Sequence, residues 1–219
     1  MTKIIAVISQ KGGSGKTTAL LNLAVAAHRD GRAVLVVDLD PQASATLWHR
    51  ARADKTLVVQ PTHPAGIANL LKVAQEQGVE LVFIDTAAQT DSNAAEAVEV
   101  ADLVLITCRP SVMDLRAIPN SIRLCRIRDR KPHVVLTQIE TQGTLQDEAR
   151  RTLASLGVDV LDGGLGRRAA FHHSIIDGRS AAEYEPSGKA AQEVRRLYQT
   201  VCQLVGLPSS HRVTKEGTR

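Results

Sequence analysis

Residues 11–18 read Lys-Gly-Gly-Ser-Gly-Lys-Thr-Thr and directly follow an apolar run at residues 4–8. Glycines at three of these positions let backbone N–H groups turn inward around phosphate oxygens. A helix that begins at Lys16 would add the positive end of its dipole to the same place. In such a loop the Lys16 ammonium contacts the β- and γ-phosphates and the Thr17 hydroxyl binds Mg²⁺. The stretch therefore predicts a strand, a phosphate-binding loop and a helix.

The loop departs from the standard pattern at its entrance. That pattern has a glycine five positions before Gly15, where this chain has Gln10. The sequence instead reads KGGxGKT[ST] with an added lysine, Lys11, which is the deviant Walker A form. On these residues the chain resembles the ParA/MinD family of ATPases, with ATP and Mg²⁺ as the implied cofactors. The resemblance also implies that Lys11 contacts the nucleotide of a partner subunit across a dimer interface.

The implied nucleotide-binding residues of the loop are Lys11, Gly12, Gly13, Ser14, Gly15, Lys16, Thr17 and Thr18. The family often places an Asn after a later strand, where this chain has Thr137 and Gln138. Both side chains can donate and accept hydrogen bonds. We therefore assign recognition of the base to Thr137 and Gln138.

Aspartates follow two of the predicted strands. Asp85 ends an apolar run, which is the Walker B pattern, and its carboxylate is expected to hold a water of the Mg²⁺ shell. Asp38 and Asp40 lie in the stretch Asp-Leu-Asp-Pro-Gln, which resembles switch I of the family. The resemblance implies that Asp40 orients or polarises the attacking water, and that Asp38 supports Mg²⁺ through water or supports the loop. Pro41 ends the strand, so we expect Asp40 to lie on a loop.

Catalytic roles thus fall to Lys11, Lys16 and Asp40, and metal binding falls to Thr17, Asp38 and Asp85. The family usually continues Asp-Thr-Pro-Pro after the Walker B strand, whereas this chain has Thr86-Ala87-Ala88 after Asp85. This segment after Asp85 corresponds to switch II of the family. The missing prolines leave its geometry open and remove no metal ligand.

Short apolar runs alternate with helical patterns along the chain. Predicted strands span residues 3–8, 33–38, 81–85, 103–107 and 134–137, with a short one near 158–161. Predicted helices span residues 16–29, 67–76, 93–100, 115–128, 145–156 and 189–205. The alternation predicts an α/β fold with a mostly parallel central sheet and helices on both faces, as in P-loop NTPases. We expect one ATPase domain over residues 1–206 and a polar, disordered tail over residues 207–219.

Composition narrows the class of protein. The chain has 219 residues, enough for one well-buried domain. No apolar run approaches the roughly 20 residues of a membrane span, and a phosphate loop at residue 11 leaves no room for a signal peptide. The three cysteines are widely spaced and predict neither a disulfide framework nor a zinc site. We expect a cytoplasmic, nucleoid-associated protein.

Positive charge is concentrated in the half that lacks the phosphate loop. Residues 109–219 hold 18 Lys and Arg against 12 Asp and Glu, whereas residues 1–108 hold 9 against 11. Arginine favours bidentate phosphate contacts, and only 2% of the residues are aromatic, which argues against stacking on exposed bases. This pattern favours sequence-independent binding to the backbone of duplex DNA.

Helical spacing places Arg123, Arg126 and Arg130 on one face of the helix predicted over 115–128 and its exit. A late segment, residues 168–193, resembles the C-terminal part of short ParA proteins, in which basic residues face DNA in the ATP-bound dimer. The resemblance extends this role to Arg167, Arg168 and Lys189. It also implies a homodimer in the ATP state and an activating partner of the ParB or centromere-binding type. No helix-turn-helix segment precedes the loop, and the cargo stays open among a plasmid, a chromosome region and a protein assembly.

Two alternatives stay open. A MinD-like membrane-cycling ATPase needs a C-terminal amphipathic helix, and residues 208–219 offer Val213 as their one large aliphatic residue beyond Pro208. A metabolic or redox enzyme of the same fold would use Cys108 and Cys125 to hold an iron–sulfur cluster between two chains. Neither cysteine lies in a glycine-rich loop, so we interpret both as small buried apolar residues.

Overall fold

A computed structural model of the chain describes residues 1–88 and 91–209. Its strands are β1 (Lys3–Ile8), β2 (Val34–Asp38), β3 (Val58–Pro61), β4 (Leu81–Asp85), β5 (Leu103–Cys108), β6 (Pro132–Leu136) and β7 (Asp159–Val160). Its α-helices are α1 (Lys16–Arg29), α2 (Ser44–Ala51), α3 (Ile67–Glu76), α4 (Asp91–Val100), α5 (Val112–Leu115), α6 (Ile118–Ile127), α7 (Leu145–Ser155), α8 (Ala169–Ile176), α9 (Ala181–Tyr184) and α10 (Lys189–Leu204). A short 3₁₀ turn, Pro64–Gly66, precedes α3.

The seven strands form one sheet in the order β3-β2-β4-β1-β5-β6-β7, and every neighbouring pair is parallel. The predicted α/β fold with a parallel central sheet is therefore confirmed. Alternate residues of β1 point to opposite faces, as the period of two in a strand requires. Ile5 and Val7 pack against α1, α2, α8, α9 and α10 on one face. Ala6 and Ile8 pack against α3, α4, α6 and α7 on the other.

The register of the sheet gathers three strand ends at one edge. Asp85 at the end of β4 lies opposite Asp38 of β2 on one side and Val7 of β1 on the other. Parallel strands end at the same edge, so the loops after β1, β2 and β4 meet there. The Thr86 hydroxyl donates to the Val7 carbonyl oxygen at 3.1 Å and fastens the β4 exit to β1.

The helix predicted over residues 115–128 corresponds to α6, which begins three residues later and ends one residue earlier, and the separate short helix α5 was not predicted. The Ser111 hydroxyl caps a first short helix, α5, by accepting from the backbone N–H of Asp114 at 3.2 Å. Pro119 lies in the first turn of α6, where its missing N–H costs nothing, but it cannot extend a helix that arrives from α5. Because α6 ends at Ile127, Arg130 lies beyond it and does not share a helical face with the arginines of α6.

Several elements were not predicted, and some predicted bounds shift. The unpredicted elements are α2, β3, α5, α8 and α9. The strand expected over 134–137 is β6, which begins at Pro132 and ends one residue earlier, and the last strand shortens to two residues. These changes leave the order of the predicted elements intact.

The chain continues to contact the domain just past the predicted boundary at residue 206. Leu207 packs against the core, and the Pro208 carbonyl oxygen accepts a hydrogen bond from Arg32. Residues 210–219, which hold most of the predicted tail, lie outside the described residues, and their disorder stays a prediction. In the described part of the chain, the helices lack the combination of length and apolar character needed to span a bilayer.

Candidate nucleotide-binding site

The loop after β1 is held in place by side chains from the ends of β5 and β6. The Thr137 hydroxyl donates to the Ser14 carbonyl oxygen, and the Gln138 amide donates to that of Gly13, each at 2.7 Å. The buried Ser14 hydroxyl lies 3.0 Å from that of Thr107. Gly15 has φ of +83°, a conformation that side chains other than glycine rarely adopt. The loop is therefore held in its shape by contacts with the protein's own side chains.

A cavity of about 500 Å³ opens over this loop. Its walls are Gly12, Gly13, Gly15, Lys16, Thr17, Thr18, Asp40, Pro41, Gln42, Ser44, Ala87 and Ala88. Lys16 is 7% exposed, and burial lowers its pKa, opposed by the charges of Asp85 and Asp40. The cavity thus combines a lysine ammonium, loop backbone and a helix N-terminus, which together suit a polyphosphate.

Lys11 lies at the rim of the loop, outside the walls of this cavity among the described residues. Its backbone N–H donates to the Ser9 hydroxyl at 3.2 Å. None of the carboxylates in the described part of the chain forms an ion pair with its ammonium. The Lys11 side chain is therefore available to a group outside its own loop.

Thr17 and Asp85 form the candidate metal centre. The Thr17 hydroxyl donates to Asp85 Oδ2 at 2.7 Å, and Asp85 Oδ1 is buried without a partner among the described residues. Burial raises the pKa of Asp85 to about 7, and nearby Asp38 adds to the rise, whereas the Thr17 hydrogen bond and the Lys16 charge oppose it. A cation here would favour the ionised carboxylate. An unpaired carboxylate oxygen beside a hydroxyl suits the hydrated Mg²⁺ of a nucleotide complex.

Asp38 and Asp40 have different surroundings. Asp38 Oδ1 accepts from the Asp40 N–H at 3.1 Å, and Oδ2 accepts from the Thr46 N–H and hydroxyl at 2.9 and 2.8 Å. Asp38 thereby holds the loop after β2 to the start of α2. Asp40 lies on that loop, as expected, and lines the cavity, with Oδ1 accepting from the Gln42 N–H at 2.9 Å. The part of Asp38 in the metal centre stays a prediction.

A second cavity, of about 660 Å³, adjoins the first, and both share Gly15 and Thr18 as walls. Thr137 and Gln138 line it while bonding to the loop, so the structure gives them a bracing contact, and their recognition of a base stays a prediction. Its apolar walls are Leu165, Phe171 and Ile175. Sequence reasoning missed these three residues. The one feature of the sequence that sets any of these three residues apart is that Phe171 is one of only two phenylalanines in the chain.

The six basic residues predicted to contact DNA do not form one patch. Arg123 and Arg126 are exposed on α6, and Lys189 is exposed at the start of α10, which covers the opposite face of the sheet. The other three already have partners in the structure. These pairs are Arg130 with the Glu99 carbonyl oxygen at 2.7 Å, Arg167 with Glu140 at 2.9 Å, and Arg168 with Glu193 at 2.8 Å.

The cysteines are buried. Burial raises the pKa of Cys108 to about 12 and that of Cys125 to about 11, which keeps both thiols protonated and poorly suited to bind iron. Across residues 1–88 and 91–209 there is also no group of three or more His, Cys, Asp or Glu side chains placed to hold a metal ion. Both cysteines pack in the core, as interpreted from the sequence.

A parallel sheet with a glycine-rich loop after β1 and an aspartate at the end of β4 defines a P-loop nucleotide-binding protein. Residues 5–181 match the family model of the CobQ/CobB/MinD/ParA nucleotide binding domain. The chain belongs to this family, as the resemblance of its loop to ParA and MinD proteins predicts.

The chain is 31% identical over 207 residues to the maintenance of carboxysome distribution protein A of Gloeobacter kilaueensis, covering 92% of this chain and 93% of the relative. It is 26% identical to the chromosome-partitioning ATPase Soj of Thermus thermophilus, covering 90% and 94%. The fold superposes on the septum site-determining protein MinD of Pyrococcus horikoshii, solved with Mg-ADP, with a TM-score of 0.74 at 20% identity, covering 94% and 98%. The chain is thus a ParA/MinD-family protein with the ATPase fold of that family.

Proposed function

We propose that the protein is an ATP-hydrolysing positioning protein that dimerises around ATP and binds duplex DNA in that state. The observation that carries the proposal is the division of lysines at the loop: Lys16 lies inside the phosphate cavity, whereas Lys11 lies outside it without an ion-pair partner in the described chain. One subunit supplies Lys16, Thr17, Asp40 and Asp85 to its own nucleotide. Lys11 is then free to bind the phosphates held by a second subunit.

Each residue has a distinct task in this proposal. Bound ATP with Mg²⁺ supplies the phosphoryl group and the charge neutralisation for its transfer to water. Lys16 binds the phosphates, and Thr17 and Asp85 hold the metal, Asp85 through water. Asp40 orients the attacking water from the loop after β2. The second cavity, whose walls include Phe171 and Ile175, receives the base, with Thr137 and Gln138 lining it as well.

Binding to DNA follows from charge and pairing. Dimerisation doubles the net charge of +4 per chain and the number of phosphate contacts. We assign the main contacts to Arg123, Arg126 and Lys189, which are exposed. Arg130, Arg167 and Arg168 contribute less, because each must share its guanidinium with an existing partner.

The proposed cargo and partner are of the kinds found among the related proteins. We propose an activator of the ParB or centromere-binding type that stimulates a slow intrinsic hydrolysis and so releases DNA. The carboxysome-distribution relative supports a protein assembly as cargo, and the Soj relative supports a chromosome region. These proposals place the protein in the cytoplasm, associated with the nucleoid.

Titration of duplex DNA in MgATP and in MgADP, across a series of salt concentrations, tests the proposal. We expect tighter binding in MgATP and a steeper loss of affinity with salt, because the dimer neutralises more phosphates. A variant with Asp40→Ala keeps the ATP state populated during the measurement. Equal affinity in both nucleotides would contradict the proposed switch.

A further inference from the structure

We propose that Arg109 is an additional phosphate-binding residue of the nucleotide site and that Asp114 positions it. The proposal rests on the proposed function only in taking the loop after β1 as a nucleotide site. Arg109 directly follows β5, the strand that neighbours β1 in the sheet. It is separate in sequence from the loop and from both switch regions.

A buried carboxylate fixes the direction of the Arg109 side chain. Asp114 is 3% exposed, and its two oxygens accept from Arg109 Nε at 2.8 Å and from Arg109 Nη2 at 3.2 Å. The Ser111 hydroxyl also donates to Asp114 Oδ2 at 2.5 Å, and the Arg109 carbonyl oxygen accepts from the Ser111 N–H at 2.7 Å. The guanidinium is thus clamped through one edge by a rigid turn.

The remaining edge of the guanidinium lies beside the phosphate loop, just outside the walls that the described residues give the phosphate cavity. Arg109 Nη1 lies 4.0 Å from the position that a Cβ on Gly13 would occupy. Gly13 has φ of +72° and is a wall of the phosphate cavity, while its carbonyl oxygen is already bound by Gln138. Arg109 therefore lies near a loop glycine whose backbone is held in place by Gln138.

The fork of an arginine can serve two anions at once. Its five N–H donors lie in one plane, so the edge bound by Asp114 leaves donors on Nη1 for a second acceptor. If Arg109 only neutralised the Asp114 carboxylate, the free edge of its guanidinium would have no need to lie beside the phosphate loop. ATP carries one more phosphoryl group and more negative charge than ADP, so we expect Arg109 to favour ATP over ADP.

Calorimetric titration with MgATP and with MgADP tests the role of Arg109. We expect Arg109→Gln to weaken MgATP about tenfold, the size of one lost charge-assisted hydrogen bond, and to weaken MgADP less. Arg109→Lys keeps the charge but not the fork, and we expect it to bind MgATP with intermediate affinity. Arg29→Gln is the matched control, since Arg29 is exposed at the far end of α1, about 20 Å from the loop. It should bind like the wild type.

A double variant separates phosphate binding from simple neutralisation of Asp114. If Arg109 binds phosphate, Arg109→Gln/Asp114→Asn will bind MgATP as weakly as Arg109→Gln does. If Arg109 serves only as the counter-ion of Asp114, the Asn will restore wild-type affinity and overturn the proposal, as would wild-type affinity of Arg109→Gln itself. Lys16→Ala tests the site as a whole. Wild-type MgATP binding by Lys16→Ala would contradict the proposed function, whatever the Arg109 variants do.

Discussion

Three aspartates at one edge of the sheet have different tasks because they have different hydrogen-bond partners. Asp38 accepts hydrogen bonds from the Asp40 backbone N–H and from the Thr46 backbone N–H and hydroxyl, so it shapes the loop after β2. Asp85 is buried beside Thr17 with one oxygen unpaired, which suits a hydrated cation. Asp40 is the one of the three that lines the phosphate cavity from a loop rather than a strand end.

Replacing Asp40 should separate catalysis from binding. We expect Asp40→Ala to lower kcat by about 10²- to 10⁴-fold, the usual contribution of a group that positions or activates a nucleophile. The Kd for MgATP should change by less than about threefold, because Lys16 and the loop backbone still bind the phosphates. Steady-state phosphate release and calorimetry measure the two quantities.

Asp147→Ala is the control for this variant, since Asp147 is exposed on α7, away from the cavity walls. Its kcat should equal that of the wild type. Wild-type turnover by Asp40→Ala would remove Asp40 from the catalytic group.

Residues of the candidate site that are neighbours in the chain were easier to predict from the sequence than residues that only folding brings together. The loop over residues 11–18 and the strand-end aspartates carry local patterns, so their place at the edge of the sheet followed from those patterns and from the resemblance to the family. The walls formed by Leu165, Phe171 and Ile175 come from a segment that approaches the loop only through folding. No spacing rule relates that segment to residues 11–18, so its place beside the loop could not be read from the sequence.

At the scale of elements, α2 is clamped to the segment that contains α8 and α9. Arg52, 3% exposed, donates to both oxygens of Glu183, at 2.9 and 2.7 Å, and to the Gly178 carbonyl oxygen at 2.9 Å. The Trp48 indole N–H donates to the Arg179 carbonyl oxygen at 3.1 Å. Since α2 follows the Asp40 loop, the clamp connects that loop to the segment after α8, the helix whose Phe171 and Ile175 line the second cavity.

Breaking this clamp should destabilise the fold in a pH-dependent way. Burial acts to raise the pKa of Glu183, but hydrogen bonds from Arg52 and Ser180 outweigh it and hold the pKa below its ordinary value. A carboxyl group with a lowered folded pKa stabilises the fold above its unfolded pKa, and the contribution is lost as pH falls through the folded value. We expect Glu183→Gln to lower the free energy of unfolding by about 2 kcal/mol at pH 7.

Urea unfolding at a series of pH values measures this effect. The difference between wild type and Glu183→Gln should be complete at pH 7 and shrink as the pH falls from about 4.3, the ordinary pKa of a glutamate, through the lower pKa of the folded carboxylate. Glu185→Gln, exposed in the same stretch, should match the wild type throughout. A difference that stays constant down to pH 2 would show that the charge of Glu183 is not responsible.

Two of the elements that escaped prediction, α2 and β3, have a weak apolar signal. Of the eight residues of α2, only Ala45 and Trp48 are buried, and in β3 only Val59 is buried. The pair in α2 has helical spacing but covers a single turn, and one buried residue in β3 shows no alternation. By contrast, β4 is buried along its whole length and α10 buries seven residues at helical spacing, so both were predicted. Tertiary contacts such as the Arg52 clamp, rather than local pattern, hold the missed elements.

At the scale of the whole molecule, the proposed DNA contacts lie on both sides of the sheet. We expect Arg123→Gln/Arg126→Gln to weaken DNA binding in MgATP and to reduce the magnitude of the slope of log affinity against log salt by about four, because each subunit of the dimer loses two phosphate contacts. Arg29→Gln/Arg50→Gln removes the same charge from exposed positions on α1 and α2 and serves as the control. Equal effects of the two double variants would indicate that net charge, and not α6, determines binding.

We propose above all that ATP joins two subunits through Lys11. The most direct measurement is the molar mass in solution of three proteins that all carry Asp40→Ala, which blocks hydrolysis. The first has no other change, the second adds Lys11→Ala and the third adds Lys16→Ala, and each is measured in MgATP and in MgADP. We predict a dimer for the Lys11-containing protein in MgATP and a monomer in MgADP. The Lys11→Ala protein should bind MgATP yet remain a monomer, and the Lys16→Ala protein should bind neither nucleotide. A Lys11→Ala protein that dimerises normally in MgATP would contradict the account.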